Sequence, residues 1–509
     1  MHDKLKNTMK SLAPSPEYIS ERQLTIEGFE TPFHRNLDPE NRWVTLASQI
    51  PWDELSQIYL KHFPRKATGR PALSPRVVIG AVIIKHMCNL DDRETIDQIS
   101  ENMYMQYFLG YSSFTSANPF DPSLFVEIRR RLGDQIIVEM NQRILALANP
   151  TKPPDKQDDN SANKSGDLPN KGKVIMDATA CPQDIAYPTD LNLLSEARQI
   201  SERIIDKLYD TSVHQKKPRT YRKIARTAYL RVAQKKVKHG KVLRKAIRKQ
   251  LGYLRRNLKS IGKLLDMLDD YPTIPLEKKD HRCLLVIQCL YDQQLEMFRT
   301  NSHSVSDRIV SIHQPHVRPI VRGKLGRKVE FGAKIHLSLV DGFSYLDTIS
   351  WDAFSEGKAM MDYIEKFRLR FGHYPAEVLG DKAYCTRENR KNLKLLGIRL
   401  IAKPLGRPKA VTENHVRPGE RNPIEGKFGQ AKTAYGMNRI KARLKDTSQS
   451  WIASIILVLN LVKLAGQAPL WVLWSFSAKV RMKISPELVS LIRWIRISRG
   501  EYIFSRYSG

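Results

Sequence analysis

Apolar runs that end on an acid are the first pattern to stand out along this chain. Residues 174–176 are apolar and lead directly into Asp177, and a similar run at 376–379 leads through a glycine into Asp381. Short apolar runs bounded by turn residues are typical of buried strands. Further strands are predicted at 308–312, 329–340, 345–351 and 398–402. Because Asp341-Gly342 between two of these runs is a strong hairpin signal, we expect the strands to form a sheet.

Helical periodicity covers much of the remaining sequence. Helices are predicted around Trp43 and Trp52, from 121 onward, and at about 74–87, 92–103, 104–109, 189–209, 282–298, 356–371, 386–396 and 442–463. A stripe of Leu and Ile from Leu243 to Leu268 recurs at steps of three or four and predicts a further long helix with a cationic exterior. The helix at 282–298 is expected to return antiparallel and cover this stripe.

The helices before residue 149 leave two interpretations open. Arg129, Arg130 and Arg131 are expected on or near a polar helix face. Several short helices with exposed arginines fit a helix-turn-helix-like DNA reader. A plain helical bundle used for dimerisation or packing fits the same pattern equally well.

The charge of the chain is large and clustered. Its 84 Lys and Arg against 53 Asp and Glu give a formal net charge of +31, and the segment 211–265 contains nineteen basic residues and no acid. Such an excess favours a polyanionic partner, most simply nucleic acid. Within this segment Arg244, Lys245, Arg248 and Lys249 are candidates to contact phosphates. The alternative is a solvated helical hairpin that serves as an oligomerisation arm.

Cysteine usage and hydropathy favour a reduced, cytoplasmic protein. The five cysteines are scattered without a CxxC pair, which argues against a disulfide framework or a zinc module. Residues 1–16 are polar and lack the apolar centre of a signal peptide. The apolar segment 451–462 is shorter than the roughly 20 residues that a membrane-spanning helix needs. We therefore expect a buried core helix there and no membrane partner.

Glu425 is a third acid, placed near a predicted helix start with Ile424, Phe428 and Ala431 at helical spacing on the adjacent face. An early strand, a later strand and a helix that each supply one carboxylate are the pattern of RNase H-like nucleic-acid phosphotransferases. Three carboxylates forced together repel one another. Two Mg²⁺ ions, with Mn²⁺ as a substitute, would relieve that repulsion, because hard divalent ions prefer oxygen ligands. The reaction that suits such a site is in-line displacement at a phosphodiester.

These motifs resemble those of the DDE transposases of bacterial insertion sequences, specifically the insertion-sequence-four/five superfamily. The resemblance extends over nearly the whole chain. The segment 176–179 is similar to the first-acid motif, and the segment 379–384 is similar to the second. In the third region Arg421, Glu425 and Lys432 match the spacing of that superfamily.

Two further stretches bear on this resemblance. Residues 69–133 are similar to the amino-terminal domain of these transposases, whereas Pro418 stands where the superfamily has a Tyr. The resemblance implies a protein that binds terminal inverted repeats as a homodimer or higher multimer, cuts the double-stranded DNA and joins the ends to target DNA. By the same analogy Arg421 and Lys432, together with Lys382, would contact DNA. The protein would act in the bacterial cytoplasm, in association with the nucleoid.

The resemblance also implies a role for each acid. Asp177 would be the ligand shared by both metal ions, and Asp381 and Glu425 would each hold one ion. The expected fold is α/β, an RNase H-like mixed-sheet catalytic domain interrupted by a basic α-helical insertion and preceded by an α-helical N-terminal domain. The predicted parts are an N-terminal DNA-binding or dimerisation domain at 1–148, a linker at 149–172, the catalytic domain at 173–466 with its insertion at about 191–301, and a tail at 467–509.

Two other classes of function remain open on the sequence. One is an RNase H-like nuclease that cuts DNA without joining it, although such an enzyme needs neither a large basic insertion nor a separate amino-terminal domain. The other is a catalytically inactive DNA-binding protein derived from a transposase. The presence of an acid at all three positions argues against an inactive protein.

Overall fold

The computed structural model describes residues 37–63, 72–148, 169–237, 239–268, 275–321, 329–402 and 419–467. The predicted tail from 468, most of the predicted linker and the segment 403–418 with Pro418 lie outside these residues. Within them the chain is a mixed α/β protein with fourteen α-helices and one mixed sheet of six strands. A mixed α/β fold was predicted from the sequence and is confirmed.

The sheet is organised around its first strand. The strands are β1 Lys173–Pro182, β2 Arg318–Val321, β3 Val329–Val340, β4 Phe343–Ser350, β5 Glu377–Leu379 and β6 Arg399–Ile401. One edge of β1 pairs with β3 antiparallel, and the other pairs with β5 parallel. β6 extends the parallel side beyond β5, while β2 and β4 both pair with the outer edge of β3. This order places β1 in the interior of the sheet, where both its edges are hydrogen-bonded.

Two sequence predictions about strands have clear outcomes. The hairpin at Asp341 and Gly342 is confirmed, because both residues have positive φ values (49° and 78°) and they join β3 to β4. The strand predicted at 308–312 is wrong, because this segment forms no strand and its buried Ile309 and Ile312 pack with a helical core. Apolar alternation in this segment reflects side-chain burial against helices rather than backbone pairing.

The N-terminal helices pack with part of the sheet. They are α1 Arg42–Gln49, α2 Trp52–His62, α3 Pro75–Met87, α4 Asp92–Glu101, α5 Met103–Phe108 and α6 Leu124–Ala148. The last helix of the described chain, α14 Lys445–Gln467, lies against α1, α3, α6 and β4. A single hydrophobic cluster contains side chains from α1 to α6, β3, β4 and α14. Within it Asn460 of α14 donates to Asn141 of α6 (2.9 Å) and to the Ser344 carbonyl of β4 (2.8 Å).

The apolar helix α14 is long and apolar enough to cross a membrane by length and composition alone. In this protein, however, residues 451–461 are all buried within the fold. Its apolar side chains therefore pack in the hydrophobic core, as the sequence predicted.

Arg129 differs from its predicted position on a polar face. It is buried, and its guanidinium donates to both carboxylate oxygens of Asp92 at 2.7 and 2.9 Å. Lys85 lies 2.8 Å from the same carboxylate. The prediction was wrong for Arg129 because its partner is distant in sequence, while Arg130 and Arg131 are exposed as expected.

Four helices lie between β1 and β2 in the chain and form a second hydrophobic core. They are α7 Asp190–Leu208, α8 Arg222–Ala233, α9 Gly240–Asp266 and α10 Lys278–Thr300. The Leu and Ile stripe of α9 is covered by α10, as predicted, and also by α7. Helix α8 was not predicted, because its sequence is rich in charged residues and its few buried residues include Ala225 and Val232.

A polar network is buried beneath the sheet, on the side covered by helix α11 Met360–Phe371. Asp347 of β4 accepts hydrogen bonds from Ser338 (2.6 Å) and from Arg370 of α11 (2.6 Å), and its Oδ2 lies 2.8 Å from Nδ1 of His336. The His336 ring stacks on Tyr363 with a centroid separation of 3.6 Å. Since His336 pairs across the sheet with Ala178, this network supports β1 one residue beyond Asp177.

Candidate active site

Asp177 lies near the middle of β1, on the strand that has partners on both sides. The neighbouring Met176 is fully buried on the opposite face, whereas the Asp177 side chain is 17% exposed. Its Oδ1 accepts the backbone N–H of Ala178 at 2.9 Å, and its Oδ2 accepts from Arg421 Nη2 at 2.7 Å. The local sequence thus places a mostly buried carboxylate on the interior strand β1.

Asp381 follows the adjacent parallel strand. Ile175 of β1 pairs with Leu379 of β5, so each acid comes two residues after a member of the same pair. The Asp381 carboxylate accepts the backbone N–H of Lys382 at 2.6 Å and begins a short 3-10 helix, Lys382–Tyr384. Parallel pairing therefore brings the two acids to the same end of the β1–β5 pair although about two hundred residues separate them in sequence.

Glu425 is supplied by helix α13 Asn422–Thr433, which lies against β1. The helix buries Ile424, Phe428 and Ala431, as the sequence predicted, and leaves Glu425 exposed. Lys432 near its end donates to Thr179 of β1 at 2.9 Å. Arg421 and Lys432 therefore contact β1 from either end of α13, whereas Glu425 between them lies on the exposed surface of the helix.

Arg421 joins the two strand acids. In addition to the 2.7 Å contact with Asp177, its Nη1 lies 3.5 Å from Oδ1 of Asp381. The Arg421 side chain is 19% exposed, whereas that of Asp381 is 52% exposed. The ion pair with Asp177 is therefore the better shielded of the two.

Burial raises the pKa of Asp177 above its ordinary value, because desolvation disfavours the charged form. Arg421 and the N–H of Ala178 oppose that effect, while the charges of Glu356 and Asp381 add to it. The net result is a raised pKa, caused first by burial. A carboxyl group with a perturbed pKa beside other charged groups is often part of a functional site.

Replacing Arg421 with Gln should raise the pKa of Asp177 further, because the substitution removes the nearest positive charge. The Asp177 carboxyl ¹³C shift, followed against pH by NMR, would measure the change. Lys432→Gln is a matched control, since it removes a cation of the same helix whose hydrogen bond is to Thr179 of β1. An unchanged or lowered Asp177 pKa in Arg421→Gln would contradict the contact.

The donor chemistry of the site fits a divalent cation. Carboxylate oxygens are the ligands that Mg²⁺ and Mn²⁺ prefer, and Asp177 and Asp381 present such oxygens on either side of Arg421. Within the described part of the chain, no three His, Cys, Asp or Glu side chains lie close enough to hold a metal as they stand. Because Arg421 contacts both Asp177 and Asp381, a cation that uses oxygens of both must compete with its guanidinium.

The predicted DNA-contacting residues fall into two groups. Lys382, Arg421 and Lys432 lie within or beside the acidic site, and Lys382 is exposed. The others lie on α9, where Lys245, Arg248 and Lys249 are exposed.

Arg244 differs from its neighbours on α9. It has internal partners, because it donates to the Phe298 carbonyl (2.9 Å) and the Asn301 side chain (2.6 Å). These contacts hold the end of α10. The charge pattern of the sequence could identify Arg244 as basic but could not reveal this structural use.

Comparison with known proteins assigns the family. A family model described as "Transposase domain (DUF772)" matches residues 32–131, and one described as "Transposase DDE domain" matches residues 378–462. The uncharacterized protein ORF8 in the nfe locus of Rhizobium meliloti is 30% identical over 169 residues, which cover 33% of this chain and 74% of that protein. The chain belongs to the DDE transposases. No solved structure matches it.

Only one of the two matches to the transposase models includes residues of the site. The DDE match includes Asp381, Arg421, Glu425 and Lys432, whereas Asp177 and the four helices α7 to α10 lie outside both matched ranges. The DUF772 match overlaps the stretch 69–133 that resembles the amino-terminal domain of these transposases. As a DDE transposase, this protein is an enzyme that acts on DNA, of the class that generally uses divalent metal ions.

Proposed function

We propose that this transposase binds the terminal inverted repeats of an insertion sequence, cleaves the DNA ends by metal-dependent hydrolysis and joins them to target DNA. One observation supports this most strongly. Asp177 and Asp381 follow paired positions of adjacent parallel strands, and both contact Arg421 at the start of the helix that carries Glu425. The helix that supplies the third acid thus begins at the residue that contacts the first two.

In the proposed site Asp177, Asp381 and Glu425 would hold two divalent ions, with Asp177 shared. Bound Mg²⁺, or Mn²⁺ in its place, would supply Lewis-acid activation of a water or a DNA 3′-hydroxyl and would stabilise the leaving oxygen. The protein residues orient the phosphodiester. Arg421 and Lys432 extend from α13 on both sides of Glu425, and Lys382 follows Asp381, so all three border the path of a DNA strand into the site.

The sheet order supports the finer fold assignment. β1, β3 and β4 form an antiparallel set, and β5 and β6 continue from the other edge of β1 in parallel. We infer an RNase H-like catalytic domain in which α7 to α10 are an insertion between β1 and β2, as in the insertion-sequence-four/five superfamily. The protein would act in the cytoplasm at the nucleoid, as a homodimer or higher multimer on DNA.

The exposed basic face of α9 is proposed to hold DNA phosphates. Replacing Lys245, Arg248 and Lys249 together with Gln should weaken end binding and flatten its salt dependence, by about 0.9 in log–log slope for each phosphate that the variant no longer neutralises. Fluorescence anisotropy of a labelled terminal repeat at several salt concentrations would measure the slope. Arg244 is left intact in this variant because it stabilises the end of α10.

The matched control is a variant that loses the same number of positive charges at the start of α10, at the other end of the group of helices α7 to α10. Lys278, Lys279 and Arg282 are exposed at the start of α10, and their replacement with Gln should change the slope less. If the α9 variant keeps the wild-type slope but loses its multimeric state, the basic helices serve as an oligomerisation arm.

A single assay separates the proposed activity from that of a simple nuclease. The protein is incubated with Mg²⁺, a pre-cleaved terminal repeat bearing a free 3′-hydroxyl, and a target plasmid. We expect covalent joining of the repeat to the plasmid. Cleavage of an uncut repeat in a parallel reaction, without any joined product from the pre-cleaved repeat, would instead identify a nuclease.

A further inference from the structure

Glu356 is a mostly buried acid beside the site that the three-acid scheme does not use. It lies in the segment between β4 and α11, with its side chain 18% exposed. One cation contacts it, since Lys334 Nζ of β3 lies 2.8 Å from its Oε1. Burying a carboxylate in this way is costly unless positive charge compensates for it.

The segment that carries Glu356 is fixed to the turn that carries Asp381. The side-chain amide of Asn389, itself 4% exposed, donates to the Gly357 carbonyl at 2.7 Å and to the Tyr384 carbonyl at 2.9 Å. A Cβ atom at position 357 would overlap the carbonyl oxygen of Ala383, so the backbone approach requires glycine. Glu356 is therefore held against the Asp381 turn by the fold itself.

A buried hydroxyl provides a second indication at this place. Tyr384 is fully buried, and its hydroxyl has no hydrogen-bond partner among the described residues. Burial raises the pKa of Tyr384, and the next two causes are the negative charges of Glu356 and then Asp177. A buried hydroxyl without a hydrogen-bond partner, in the electrostatic field of two acids, indicates a polar site whose hydrogen bonds are incomplete.

Two basic residues form ion pairs with these three acids. Arg421 contacts Asp177 and Asp381, and Lys334 contacts Glu356. Lys334 is shared further, because it also donates to the Phe354 carbonyl at 2.8 Å. Glu356 therefore depends on a cation that it does not hold alone.

We propose that Glu356 is a fourth acid of the transposase active site, where its negative charge beside Asp177 and the Asp381 turn raises the affinity of the site for a divalent cation. This inference rests on the metal-dependent function proposed above. Glu356 lies outside both ranges matched by the family models, and its role would be to support cation binding through its charge. Lys334 would then be its counter-ion.

The test is Mn²⁺ binding to the purified full-length protein, measured by isothermal titration calorimetry without DNA. Glu356→Gln should weaken Mn²⁺ binding about 10–100-fold, the range typical of groups that support a metal site. Asp362→Asn is the matched control, because Asp362 is an exposed acid at the start of α11, and it should bind Mn²⁺ as wild type does. Lys334→Gln should bind Mn²⁺ at least as tightly as wild type.

Other outcomes would overturn the inference in distinguishable ways. Wild-type Mn²⁺ affinity in Glu356→Gln, with a melting temperature lowered as much as in Lys334→Gln, would mean that Glu356 is only the ion-pair partner of Lys334. If Asp177→Asn also keeps wild-type affinity, the metal site of the proposed function fails as well. Should Glu356→Gln not fold, the comparison is made between Lys334→Met and the Lys334→Met/Glu356→Gln double variant, in which both charges of the pair are removed.

Discussion

Replacing Asp177 with Asn should abolish metal-dependent cleavage of terminal-repeat DNA while leaving binding of that DNA largely intact. Asn keeps the shape of the side chain but removes the negative charge on which a shared metal ligand depends. We expect a loss of at least about 1,000-fold in the cleavage rate, which corresponds to about 4 kcal/mol of transition-state stabilisation. Single-turnover cleavage of a labelled repeat, with binding measured separately by anisotropy, would determine both quantities.

Asp184→Asn is the control for this experiment. Asp184 comes shortly after β1, is 41% exposed and pairs with Arg439 at 2.9 Å, so its replacement should leave the cleavage rate within about twofold of wild type, as expected of a screened surface pair. Full cleavage by Asp177→Asn would remove Asp177 from the active site. Loss of DNA binding together with cleavage would indicate that the substitution disturbs the fold.

Replacing Asp347 with Ala should destabilise the protein by about 3–5 kcal/mol, because it leaves a buried cation without its partner. Asp347 is buried with His336, Ser338 and Arg370 around it. A loss of this size is a large part of the roughly 5–15 kcal/mol that stabilises a typical domain. Urea unfolding at neutral pH would measure it, with Asp362→Asn as an exposed control that should change little.

The loss of stability caused by Asp347→Ala should depend on pH. Burial opposes the charge on Asp347, but hydrogen bonds and charges from His336, Arg370 and Ser338 outweigh it, and the pKa lies below its usual value. A lowered folded-state pKa means that the stabilisation is complete above the unfolded value of about 3.9 and is lost as the pH falls through the folded value. The stability gap between wild type and Asp347→Ala should therefore be constant near neutrality and narrow below about pH 4. A gap that widens in acid would contradict the ionised state of Asp347.

The location of the strand acids could be predicted from local sequence. Apolar runs that end at Asp177 and Asp381 are contiguous signals, and the buried positions of α13 follow from helical spacing. The hairpin at Asp341 was predictable for the same reason, because a two-residue turn is encoded by the two residues in it. Short-range patterns thus identify where the acids lie along the chain.

The partners of these acids could not be predicted in the same way. Arg421 was expected to contact DNA, and its ion pair with Asp177 joins residues 244 positions apart. Arg129 was expected on a polar face, yet its partner Asp92 lies on another helix. A charged side chain looks the same in sequence whether it is solvated or paired, since only the tertiary arrangement decides which.

The hydrogen bonds of Asn460 have a consequence for how this transposase evolves and moves. Because one amide side chain joins α6, α14 and β4 inside a common core, the amino-terminal helices cannot swivel on the sheet without breaking buried bonds. Any reorientation of bound DNA relative to the acids must then come from elsewhere in the protein. Exchange of the amino-terminal region between related elements would succeed only where the facing surface of α14 is inherited with it.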